Sequence, residues 1–229
     1  MGTPGDITDL ARPQPRSHLL DAAMRIITPL LDTDDDKRVI VGLTGPPAAG
    51  KSTLSVALAA TYERQLGEHR AVAVPMDGFH LSNLELDRLG LADRKGAPET
   101  FDAAGFVNLL RRLREERDGV VYAPSFNRAL NESIGSDIPV LPQARLIVVE
   151  GNYLLLTEGA WAGVRPLLDR ALYIDAPQPS RIGSLLRRQR ARGLAEADAR
   201  DWVFRSDEAN ARVIAATKPL ADAVLTRPG

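Results

Sequence analysis

At 229 residues and a formal net charge of −1, the chain is long enough to bury one substantial core and carries no global field that would draw it to nucleic acid or to an anionic membrane. It has no cysteine, which excludes a disulfide framework, a cysteine zinc site and a thiol nucleophile, and suits a cytoplasmic location. His18, His69 and His80 show no metal-ligand spacing, and no run of 18 apolar residues is present that would span a membrane.

Residues 1–16 are rich in Pro, Gly and Asp and read as a flexible tail without the apolar stretch of a secretory leader, leaving 17–229 as a single domain. From Ser17, placed as an N-cap, Leu20, Ala23, Met24, Ile27, Leu30 and Leu31 keep helical spacing. The run DTDDDKR at 32–38 reads as a solvated connection in which Asp34, Asp35 and Asp36 have no role. Five short apolar segments follow: RVIVGLT (38–44), AVAVPMD (71–77), RLIVVEG (145–151), RALYID (170–175) and ADAVLT (221–226). Helical stretches at 51–66, 103–117 and 181–216 lie between them, and this alternation predicts an α/β fold with a five-stranded parallel sheet covered on both faces. Residues 120–140, with VVYAPSF and SDIPVLP, carry prolines and short β-like pieces suited to a small insertion near the strand ends.

The stretch GPPAAGKST at 45–53 fits G-x-x-x-x-G-K-[ST] and stands between a strand pattern and a helix pattern. Gly45, Pro46, Pro47, Ala48, Ala49 and Gly50 are small or turn-forming, so the backbone can curl with its N–H groups aimed at phosphate oxygens. The following helix adds its positive end, Lys51 a full charge for the β- and γ-phosphates, and Ser52 a hydroxyl for Mg²⁺. An ordinary Gly-Pro turn would leave the Lys-Ser pair at the helix start unexplained. In an open parallel sheet, ligands bind beyond the carboxyl ends of the strands. AVAVPMD delivers Asp77 there and RLIVVEG delivers Glu150, and either acid suits a base or a Mg²⁺ partner.

Taken in order, GPPAAGKST, PMDGFHL (75–81), RKGAPETFD (94–102) and VVEGNYLLL (148–156) resemble the phosphoribulokinase/uridine kinase family of P-loop kinases, with bacterial pantothenate kinases as the nearest likeness. The resemblance spans about residues 38–226. It implies a P-loop NTPase fold, ATP and Mg²⁺ as cofactors, a small-molecule acceptor, and relatives that are often homodimers. Under it Asp77 is the general base, Glu150 organises Mg²⁺ with Ser52, Thr53 contacts the nucleotide phosphates, and His80 sits near the substrate. Lys95 lies in a segment folded over the substrate side, within an insertion at about 90–142.

The stretch RIGSLLRRQRARG matches the family's lid at about 181–193. Helical spacing puts Arg181, Arg188 and Arg192 on one face and Arg187 and Arg190 elsewhere, so Arg188 is assigned to the transferring phosphate and Arg192 to the nucleotide. Ser184 stands where uridine kinases carry an arginine, which counts against a nucleoside acceptor. Phe126, Asn127 and Arg128 are candidates for the acceptor pocket, with a packed PSF turn as the other reading, and Asn210 loosely matches an asparagine that holds pantothenate. A nucleotide-switched regulator is the competing function; its N-K-x-D guanine motif is absent.

Overall fold

The computed structural model describes residues 17–33 and 37–228. The expected tail at 1–16 and the acids at 34–36 lie outside the described residues. Helix α1, Ser17–Leu31, buries Leu19, Ala23, Ile27 and Leu31, one residue from each successive turn. It packs on α2, Lys51–Leu66, where Thr28 Oγ1 and Tyr62 OH stand 2.7 Å apart.

Strands β1 (Val39–Thr44), β2 (Ala71–Pro75), β5 (Leu146–Glu150), β6 (Arg170–Asp175) and β7 (Ala223–Thr226) form one parallel sheet in the order β2-β5-β1-β6-β7. Alternate residues feed opposite faces. Val39, Val41, Leu43, Leu146 and Val148 join the side chains of α1 and α2, whereas Ile40, Ile147 and Val149 join Phe106 and Leu110 of α4, Ala103–Glu115. The α/β architecture expected from the alternation is the one that forms.

Strands β3 (Val121–Asn127) and β4 (Glu132–Val140) pair antiparallel outside the main sheet, in the region expected to form an insertion. A short α3, Asn83–Leu89, begins at Ser82, whose hydroxyl accepts the Glu85 N–H. Two expectations change. The second strand stops at Pro75, and Met76–Phe79 turn as a 3-10 segment, so Asp77 stands just beyond the strand. The helical run at 181–216 is broken: α5 (Gln178–Ala191) ends before Gly193 at φ 93°, and α6 (Glu196–Trp202) leads through a π turn, Val203–Asp207, into α7 (Glu208–Ala216). No helix among the described residues is long and apolar enough to cross a membrane.

Arg38, only 2% exposed, ties the start of β1 to two other layers. Its guanidinium donates to the carbonyl oxygens of Leu113 (2.8 Å) and Glu116 (3.2 Å) at the end of α4, and of Leu141, Pro142 and Ala144 before β5 (3.0–3.1 Å). The Leu113 and Glu116 carbonyls lie at the carboxyl end of α4, where a helix supplies no further N–H of its own. Burial, and then Arg117, push Arg38 down to about 10, so it remains charged at neutral pH. Arg38→Met is expected to lower the unfolding free energy by about 3 kcal/mol, because it leaves buried acceptors unpaired; urea unfolding followed by circular dichroism measures this, and a loss below half that size would contradict the account.

Candidate active site

The loop from Gly45 to Gly50 joins β1 to α2 through three positive φ angles, at Gly45 (144°), Ala48 (62°) and Gly50 (102°). A Cβ on Gly45 would sit 2.4 Å from the Ile174 carbonyl oxygen, so only glycine fits there. Lys51 is 7% exposed, and its Nζ donates to the carbonyl oxygens of Gly45 (2.8 Å) and Pro46 (3.1 Å). Burial pulls Lys51 down to about 8 while Glu150 and Asp77 hold it up. A phosphate placed there would compensate a charge that the fold has already stripped of water.

Pro47, Ala48, Gly50, Lys51, Ser52 and Thr53 line a cavity of about 1030 Å³. Gly45, Pro46 and Ala49 shape the loop from behind, and Ala49 is fully buried. The sheet register brings two acids to the same cavity. Glu150 pairs with both Pro75 of β2 and Leu43 of β1, so it emerges level with the start of the phosphate loop, and Asp77 follows two residues after Pro75. Ser52 Oγ donates to Glu150 Oε1 at 2.7 Å. Burial, then Asp77, push the Glu150 carboxyl up, against the pull of Lys51 and the Ser52 bond. Such a carboxylate gains from an added cation, and with the Ser52 hydroxyl it offers hard oxygen donors suited to Mg²⁺. No cluster of three or more His, Cys, Asp or Glu able to hold a metal occurs among the described residues.

Asp77 is fixed by a close backbone approach. A Cβ on Gly78 would lie 2.4 Å from the Pro124 carbonyl oxygen, so this glycine lets the 76–79 turn press against β3. The same packing brings Phe126 and Arg128 into the cavity wall, with Arg128 NH2 3.7 Å from Asp77 Oδ2. His80 stacks on Phe101 at 4.0 Å and meets Phe126 at 4.9 Å between ring centroids. Its Nδ1 is buried without a partner among the described residues, and burial holds the imidazole down at about 4, so it is uncharged at neutral pH. Lys95 Nζ donates to Asn83 Oδ1 (2.5 Å) and to the Asn131 carbonyl (2.7 Å). Asn210 also borders the cavity, but its Nδ2 donates to the Gly96 carbonyl at 3.2 Å.

Four assignments are corrected. Asn127 does not line the cavity: its Oδ1 accepts the N–H groups of Ala129 and Leu130, both at 3.0 Å, and so shapes the hairpin turn. Arg181 does not belong to an open lid face. It is 6% exposed, with NH1 2.9 Å from Glu208 Oε1 and 3.4 Å from the Pro47 carbonyl. Arg187, set apart by helical spacing, lines the cavity beside Arg188 and Arg192, because the cavity wraps more than one stripe of α5. Arg192, expected at the nucleotide, sits instead at the far end of α5, where NH2 donates to Asn131 Oδ1 at 2.5 Å on the hairpin tip.

Two further lining residues escape sequence reasoning. Arg227, just past β7, donates to the Ala48 carbonyl (3.4 Å) and to Ser180 Oγ (3.0 Å); its place beyond a strand end was the available signal. Asp207 ends the π turn, with Oδ2 buried and unpartnered among the described residues, and had no sequence signal. Desolvation within the cavity lowers Arg188 below its ordinary value, with Arg128 adding to the effect and Asp207 and Asp77 opposing it.

No family model matches the chain. A protein from Schizosaccharomyces pombe, provisionally named a uridine kinase, is 35% identical over 195 residues, covering 82% of this chain and 83% of that protein. A pantothenate kinase from Lacticaseibacillus casei is 30% identical over 138 residues, 60% of this chain and 44% of its own length. Among solved structures, a protein from Silicibacter sp. TM1040, provisionally named a fructose transport system kinase, superposes with a TM-score of 0.82 at 37% identity, covering 90% of this chain and 98% of that one.

Burial raises the Asp207 carboxyl from an ordinary 3.8 to about 6, with Arg188 the strongest opposing influence. The folded state then holds this proton more tightly than the unfolded chain, so the stabilisation is complete below the ordinary value and is lost as pH rises to about 6. Asp207→Asn is therefore expected to raise the unfolding free energy at pH 7.5 by on the order of 2 kcal/mol, with the gain shrinking toward pH 4. Thermal unfolding across that range measures it, and a gain independent of pH would contradict the assignment.

Proposed function

The chain belongs to the phosphoribulokinase/uridine kinase family of P-loop kinases, and from that membership we propose that it transfers the γ-phosphoryl group of ATP to a hydroxyl of a small metabolite in the cytoplasm. The observation that carries this reading is the meeting of Lys51, Glu150 and Asp77 in one cavity, each acid supplied by a different strand end. A nucleotide-binding module alone has no use for the second acid.

In this reading the loop N–H groups, Lys51 and Thr53 hold the nucleotide phosphates, while Ser52 and Glu150 hold Mg²⁺. The ion supplies positive charge to the phosphate oxygens. Asp77 accepts the acceptor's hydroxyl proton as that oxygen bonds to the γ-phosphorus. The bond from phosphorus to the bridging β-oxygen breaks, and ADP leaves with the electron pair. The transition state is loose, so positioning and charge neutralisation carry the catalysis. Arg188, on α5, is a helix cation whose charge acts on both Lys51 and Asp207 and which Asp77 in turn helps to keep charged. His80, held near 4, supplies hydrogen bonding rather than charge. The three relatives carry names that point to three different acceptors, a nucleoside, a vitamin acid and a sugar, whose common feature is an alcohol.

Asp77→Asn is expected to lower kcat by roughly 10²- to 10⁴-fold with nucleotide still bound. Glu150→Gln is expected instead to raise the Mg²⁺ concentration needed for half-maximal rate. An acceptor-coupled ADP-release assay reads both; the reverse pattern would exchange the two roles, and full activity in both variants would remove the kinase mechanism. Arg188→Ala is expected to reduce kcat by about 10³-fold with a smaller change in nucleotide affinity, and single-turnover kinetics would expose an effect confined to binding.

A further inference from the structure

Helix α5 runs from the phosphate loop to the hairpin tip. Arg181 touches Pro47 at one end, and Arg192, eleven residues on and thus about 16 Å along the axis, touches Asn131 at the other. Arg192 therefore stands at the end of the cavity remote from the phosphate loop. Lys95 stands there as well, bonded to the main-chain carbonyl of the same Asn131, a residue in the left-handed region at φ 55°. One neutral residue thus uses its side-chain oxygen and its backbone oxygen to fix two cations beside one another.

After burial and the opposing Glu132, Arg192 pushes the Lys95 ammonium down. Neither cation has an ion-pair partner among the described residues, and Arg128, the third cation on this wall, has only the loose 3.7 Å approach to Asp77. Glu132 offsets part of this charge and acts on Lys95 more strongly than Arg192 does, yet it forms no ion pair with either cation among the described residues. Glu132 accepts the Asn83 N–H, Asp87 is exposed at the rim, Asp207 feels Arg188 more strongly than Arg192, and Asp77 is approached by Arg128. Lys95 keeps one N–H free of its two bonds, and Arg192 keeps most of its five.

We infer that the acceptor carries an anionic group of its own, a phosphate monoester or a carboxylate, held by Lys95 and Arg192 with help from Arg128 while its hydroxyl lies at Asp77. This inference rests on the kinase reading above. A neutral acceptor filling the same space would displace water from three cations and give nothing back, which is unfavourable. An anion there meets charge-assisted donors on two sides and relieves the repulsion between them. The face of Phe126, 5.5 Å from Lys95 Nζ, and the neutral His80 complete a wall suited to the short carbon skeleton between hydroxyl and anion.

The test is a set of matched pairs offered with ATP and Mg²⁺: fructose 6-phosphate against fructose, uridine monophosphate against uridine, glycerate against glycerol, and pantothenate against panthenol. The expected result is acceptor-stimulated ADP release in which the charged member exceeds its neutral counterpart by about 10- to 100-fold in kcat/KM, with the phosphate and carboxylate pairs telling the two anions apart. Lys95→Met and, separately, Arg192→Met should raise KM for the charged member about tenfold and narrow its advantage over the neutral one, with Lys95→Arg restoring part of it. A neutral member turned over as well as its charged counterpart, or an advantage untouched in both variants, would overturn the inference and leave the kinase reading standing. If no member of either set draws phosphate from ATP, both fall.

Discussion

The register of three parallel strands is the constraint on which the site depends. Glu150 is level with Leu43 on one side and Pro75 on the other, and neighbouring strands lie only about 4.8 Å apart. The chain leaves β1 into the phosphate loop, β2 into the Asp77 turn and β5 at Glu150, so three separate stretches of sequence deliver their chemistry to one edge. A slip of one residue in β5 would turn Glu150 to the opposite face of the sheet. The buried apolar side chains above and below, from Ile40 and Val149 to Leu43 and Val148, hold that register.

The electrostatics of the edge depend on the same packing. Lys51 and Glu150 are both buried, and burial shifts each toward its neutral form: the ammonium down and the carboxyl up. Each is restored partly by the other. Neither satisfies the other fully, because Lys51 folds back onto the Gly45 and Pro46 carbonyls while Glu150 takes the Ser52 hydroxyl. The fold thus keeps opposite charges close but separately engaged, a condition in which an incoming phosphate and a divalent cation find their partners already desolvated.

How much of this is legible in the sequence depends on how far apart the cooperating residues lie. Gly45, Lys51 and Ser52 act within one turn of chain, and their spacing alone reports the loop. Asp77 and Glu150 are legible as acids ending apolar segments, because strand ends have a fixed relation to ligands in this class of sheet. Arg181 illustrates the limit: periodicity puts it on the face of Arg188, yet Glu208, 27 positions later, covers it. Asn127 illustrates another, since a carboxamide that can hold a substrate can equally close a turn. Asp207 reaches the cavity only through a π turn, which adds a residue to the helical winding and rotates α7 relative to α6. No pattern with a period of 3.6 reports such a shift.

The two ends of α5 are held in different ways, and the difference bears on what the helix can do. Its base is joined by a buried pair, Arg181 to Glu208, with Gln178 bonded to the same carboxylate and Arg181 reaching Pro47. Breaking that pair would strand a desolvated charge, at a cost of several kcal/mol. Its tip is joined to the hairpin by the exposed contact of Arg192 with Asn131, and contacts of that kind contribute little net stability. Between them, the buried Leu185 and Gln189 pack the outer half of the helix beside α6 and the π turn. Under the inferred acceptor role of Arg192, the phosphate-loop end of the helix is thus fixed by a buried ion pair and the acceptor end by a weaker, exposed contact.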